Sequence, residues 1–135
     1  MDTYPLEDLV AYQIAVDLKI QISALLERTA AGRDLRFNGQ IRDAAESMAS
    51  NIVEGHRRYN PAEFANFLRY SRASIAELQE RLPDGVLRRF YALSDIEDIM
   101  RLLEREGVIV GRLRDSMLRL ASRRRKANQR KRRKR

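Results

Sequence analysis

Apolar residues recur at intervals of three and four along most of the chain, the period of helices that bury one face. The pattern predicts a first helix from about Glu7 to Arg28. Ile14, Leu18, Ile22 and Leu25 form one stripe on it, and Leu9, Tyr12, Val16 and Ile20 form a second. The stripes are offset by two residues, roughly 200° around the helix. The second stripe reads either as a subunit interface or as one edge of a broad core face. Thr29 to Asn38 reads as a loop, with Gly32 as C-cap of the first helix and Asn38 as N-cap of the second. The second helix, Gly39 to about Arg57, has a largely small apolar face of Ile41, Ala44, Ala45, Met48 and Ile52. Asn60 as N-cap, Pro61 at the first position and Glu63 at the third mark the start of a third helix. Its seam is Phe64, Phe67, Leu68, Ser71, Ile75, Leu78 and Leu82. Pro83-Asp84-Gly85 is expected to end or kink it, with Val86 to Tyr91 forming a short helical turn. Ser94 and Glu97 read as a capping box for a fourth helix along Ile96, Ile99, Leu103, Val110, Leu113, Met117 and Leu120. Gly107 and Gly111 interrupt it one turn apart, where they serve a close helix approach or are simply weak points. Four helices with short joints predict an all-α, antiparallel up-down four-helix bundle over residues 1–122.

Charge changes the picture at one end. Residues 123–135 hold ten of the 27 Lys and Arg and no acid, which leaves 17 cations against 19 acids, a net −2, for the body. The high isoelectric point therefore belongs to a tail, expected to be disordered or a fraying extension of the fourth helix because like charges repel. The tail cations Arg123, Arg124, Arg125, Lys126, Arg130, Lys131, Arg132, Arg133, Lys134 and Arg135 are candidate contacts to an RNA or DNA backbone. Arg57 and Arg58, beside His56 and Tyr59 at the end of the second helix, are further candidates, since cations with an aromatic can hold phosphates and stack bases. Arg69 and Arg72 read as a second pair or as a solvated face.

Composition excludes several chemistries. There is no cysteine and one histidine, so neither thiolate nor multi-histidine metal sites can be built. No apolar run approaches the ~20 residues of a membrane span, and the first residues lack a secretory pattern. A cytoplasmic protein with no membrane partner is expected. Ser47, Asn51 and Glu54 on the second helix could converge with Ser74 and Glu77 on the third. A di-metal bundle site needs Glu-x-x-His from two helices, and His56 stands only two residues after Glu54. A hydrolase would need a nucleophile elbow that is absent here. These five residues are read as a structural polar cluster that fixes helix register, and neither a catalytic residue nor a cofactor is expected.

The run QIRDAAESMASNIVEG, followed by PAEFANFLRYSRASIAEL, closely resembles the four-helix-bundle family of proteins encoded within 23S ribosomal RNA intervening sequences. The family's wording falls on Gln40, Ile41, Arg42, Ala44, Ala45, Ser47, Ser50, Asn51, Ile52, Glu54 and Gly55. It continues on Glu63, Phe64, Phe67, Leu68, Ser74, Glu77 and Leu78. Asp8 to Gln13 is similar to the family's opening, with Tyr12 where tryptophan is common, and the likeness covers roughly residues 7–120. Pro83-Asp84-Gly85 and the basic tail depart from it. The resemblance implies a homopentamer with no established enzymatic activity. It also implies kinship with the accessory variability determinant of diversity-generating retroelements, which binds nucleic acid and works with a reverse transcriptase. The expectation is a non-enzymatic scaffold that binds nucleic acid, RNA ahead of DNA, accessory to a reverse transcriptase or a ribosomal RNA process. The alternative is a protein-interaction scaffold whose basic tail docks an acidic protein.

Overall fold

The computed structural model describes residues 5–6 and 9–135. Its elements are α1 (Val10–Arg28), a 3-10 turn (Ala30–Arg33), α2 (Leu35–Arg57), α3 (Pro61–Leu87) and α4 (Leu93–Arg133). Among the described residues there is no strand. α1 packs on α2 and α4, and α3 packs on α2 and α4, so the helices follow one another around a four-helix bundle. Arg28 at the end of α1 pairs with Asp95 at the start of α4, 3.0 Å apart, which places those two helices antiparallel. No described helix is long and apolar enough to cross a membrane.

The core is the predicted seams brought together: Leu18, Ile22 and Leu25 of α1, Ile41, Met48 and Ile52 of α2, Leu68, Ile75, Leu78 and Leu82 of α3, and Ile96 and Leu103 of α4. Ser71 is buried with them, and its hydroxyl donates to the Met48 carbonyl across the α2–α3 seam at 2.8 Å. The second stripe of α1 divides. Leu9 and Tyr12 pack against the core, while Ile20 stays 63% exposed. Glu7 and Asp8, where the first helix and the family-like opening are expected to begin, lie outside the described residues.

Several boundaries differ from expectation. α2 starts one turn early, because Asp34 rather than Asn38 caps it and accepts from the Phe37 amide at 2.9 Å. Burial of Phe37 against Phe90, with ring centroids 5.1 Å apart, draws that turn into the helix. Thr29, not Gly32, is the C-cap of α1. Gly32 instead lies so close to the Leu26 carbonyl that a Cβ would stand 2.2 Å from its oxygen. α4 starts at Leu93, and the Asp95 carboxylate accepts from the Ala92 amide at 2.7 Å, so Ser94 and Glu97 do not form the box.

Pro83 does not end α3, which runs to Leu87. A helical proline forfeits one backbone bond, and here the next turn is locked from outside. The Tyr91 hydroxyl donates to the Leu82 carbonyl at 2.6 Å. The Phe90 and Arg89 amides donate to the Gly85 and Val86 carbonyls at 2.9 and 3.0 Å, a Schellman closure with Arg89 left-handed at φ 63°.

The basic tail is also helical: α4 continues to Arg133. Residues 122–133 contain no glycine, proline or β-branched residue, and Arg, Lys, Ala and Gln are good helix formers. Cations in the last turn also face the negative end of the helix dipole. At 41 residues, α4 is about 60 Å long.

Gly107 and Gly111 are not required by packing within the chain. A Cβ on Gly107 would stand 3.8 Å from Ile75, and one on Gly111 would stand 3.5 Å from Arg72, both ordinary contact distances. Gly107→Ala and Gly111→Ala are each expected to stabilise the bundle by about 1 kcal/mol in urea unfolding. A double variant that unfolds more easily, or loses a higher assembly in light scattering, would put another copy's helix on that face instead.

Candidate nucleic-acid interface

The tail cations are arranged by the helix they lie on. Arg119, Arg123, Lys126, Arg130 and Arg133 recur at four, three, four and three residues, so they share one face, and all five are exposed. That face is about 21 Å long. Lys131, Arg132, Lys134 and Arg135 are exposed as well and spread around the end of the arm.

The arm does not hang free along its whole length. Ala121 is buried, and a half-open cleft of about 490 Å³ lies between the foot of α3 and the lower part of α4. Arg124, Arg125 and Asn128 line it from α4, with Leu118 and Ala121 above them. Asn60 lines it from the α2–α3 joint, and Pro61 and Ala62 line it from the first turn of α3. The joint itself is held by Asn60, whose side-chain oxygen accepts from the Glu63 amide at 3.1 Å. Tyr59, next to Asn60, is left-handed at φ 53° and 62% exposed. It occupies the position after the C-cap of α2, where glycine or asparagine is usual.

Arg57 and Arg58 sit at this same end of the bundle. Arg57 is exposed. Arg58 pairs with Glu54 at 2.9 Å and lies over the Phe67 ring, 5.0 Å from its centroid. It lines a second cleft of about 400 Å³ with Ala62, Glu63, Asn66 and Phe67, so the two clefts meet at Ala62. Arg69 stacks over Tyr70 at 4.9 Å, and Arg72 lies against Gly111 of α4.

The polar cluster is only partly assembled. Ser74 donates to the Ser47 hydroxyl at 2.8 Å, and Asn51 donates to the Ser47 carbonyl and hydroxyl at 2.8 and 3.1 Å. These three residues link α2 to α3. Glu54 turns instead to Arg58, and Glu77 to Arg81 at 2.8 Å, each pair on one helix. Arg81 also donates to Gln40 at 2.9 Å. Among the described residues no group of three or more potential ligands is placed to hold a metal.

The residue that pattern reading missed is Glu106. It is 0% exposed, neither carboxylate oxygen has a hydrogen-bond partner among the described residues, and burial pushes its pKa up to about 8. The signal was the seven-residue gap between Leu103 and Val110 in the α4 seam, which leaves position 106 facing inward.

Comparison with known proteins adds the following. The sequence profile described as 23S rRNA-intervening sequence protein matches residues 7–110. No curated protein matches the chain. The matched span ends at Val110, so the cleft's α4 wall and the basic arm lie beyond it.

Proposed function

The chain belongs to the 23S rRNA-intervening sequence protein family, and from that premise we propose that it is a non-enzymatic, oligomeric scaffold that binds nucleic acid, RNA ahead of DNA. The observation that carries this reading is the arm: ten cations and no acid within residues 123–135, on a helix that runs to Arg133. Such a surface holds a phosphate backbone by charge and carries little sequence information. The family's tie to ribosomal RNA favours RNA, and a ribosomal RNA or reverse-transcription process is the setting we propose. A homopentamer would present five arms, so weak contacts multiply through avidity. The exposed Ile20 and Val10 of α1 are the apolar surface we assign to subunit contact. The absence of catalysis is proposed because the two candidate acids, Glu54 and Glu77, are each tied to an arginine.

Binding of a 20-nucleotide RNA by the full chain and by a chain ending at Ser122, over a salt series, tests the reading. The full chain is expected to show a steep salt slope, with truncation lowering affinity at least 100-fold at 100 mM salt and flattening the slope. Equal binding by both chains, or none by either, would overturn it. Capture of an acidic protein that survives nuclease treatment and needs the arm would favour the protein-docking alternative.

A further inference from the structure

We propose that the cleft between the foot of α3 and the lower part of α4 seats an unpaired nucleotide of a strand whose backbone lies along the arm. This rests on the nucleic-acid reading and adds the class of strand and the place where one base is held. At about 490 Å³ the cleft is within the size range of small-ligand sites.

Its walls divide by chemistry. Arg124 and Arg125 present guanidinium forks, which match phosphate oxygens two at a time. Asn128, with an amide that both donates and accepts, can pair with a base edge. Pro61, Ala62, Leu118 and Ala121 give an apolar surface suited to a base face. Tyr59, one residue before the cleft residue Asn60, adds an exposed ring of the kind on which bases stack. A paired base has both faces covered by its neighbours and cannot enter. The cleft therefore separates unpaired from duplex nucleic acid, which the charged face of the arm does not.

Three RNA probes test this with the full chain: a blunt two-strand duplex, the same duplex with a four-nucleotide single-stranded extension, and that extension with abasic residues. The extended duplex is expected to bind at least tenfold more tightly than its abasic counterpart, which carries the same charge. Tyr59→Asn and Leu118→Asn are expected to abolish that preference while leaving the salt slope unchanged. Tyr59→Asn should melt no lower than the parent, which separates loss of binding from loss of fold. Arg124→Gln with Arg125→Gln should lower affinity for all three probes and shrink the preference. Equal affinity for base-bearing and abasic extensions, or a preference that survives Tyr59→Asn and Leu118→Asn, would overturn the cleft and leave the backbone reading standing. Failure of all three probes to bind at any salt would remove both.

Discussion

Glu106→Leu is expected to stabilise the bundle at pH 7 by on the order of 3 kcal/mol, and by more at pH 9. The side chain is wholly buried, both oxygens lack partners among the described residues, and burial alone raises the pKa from 4.5 to about 8. The unfolded chain therefore ionises this carboxyl first. Below about pH 4.5 both states hold the proton, and the group costs no charge burial. As pH rises towards 8 the unfolded state alone gains from ionisation, so stability falls across that window and levels off above it. The seam Ile96, Ile99, Leu103 and Val110 is apolar on both sides of position 106, and leucine there continues it at similar volume. Glu106→Gln should abolish the pH dependence with a smaller gain, because its amide would be buried in the same place. Urea unfolding of parent and variants at pH 5, 7 and 9 reads this directly. A parent–leucine difference that stays constant with pH would show that Glu106 has a partner in solution and would sink the prediction.

The same residue shows where sequence reading reaches its limit. Helix count, the four seams and the Asn60-Pro61-Glu63 start are visible because each depends on neighbours within a turn or two. Glu106 is inward for the same periodic reason, but a charged residue hides in a search for apolar stripes. Asn38 is as good a capping type as Asp34, and Ser94 a far better one than Ala92, whose methyl group caps nothing. Only the burial of Phe37 and the reach of Asp95 to the Ala92 amide decide between them. Like-charge repulsion predicts a fraying tail, while the intrinsic helix preference of its residues acts the other way. The cleft was out of reach altogether. It joins Asn60 to Arg124, and no period relates residues so far apart in the chain.

At Pro83-Asp84-Gly85 the third helix runs on to Leu87 rather than ending, and this stretch carries the second large prediction: Gly85→Ala is expected to destabilise the bundle by about 2–4 kcal/mol. In a free helix this change would stabilise by up to about 1 kcal/mol, so the sign itself tests the packing. A Cβ on Gly85 would stand 2.1 Å from Tyr91 Cζ and Oη, far inside contact distance. The ring has little room to yield. It is buried, packs against Phe37 at 6.3 Å, and donates its hydroxyl to the Leu82 carbonyl. Burial, with the nearby Asp84 carboxylate, raises the Tyr91 pKa well above the usual tyrosine range, so the hydroxyl stays a donor through ordinary pH. The backbone is held too, by the bonds from Arg88 to Asp84 and from Phe90 to Gly85. Tyr91→Phe keeps the ring and should cost only about 1 kcal/mol for the lost hydrogen bond. Tyr91→Ala should cost about 3–5 kcal/mol. In that background Gly85→Ala should turn neutral or stabilising, a coupling of about 2–5 kcal/mol between the two positions. Additive losses in the double variant would mean that the ring does not lie over Gly85. The continuity of α3 past Pro83 would then need another cause than the tyrosine that closes over it.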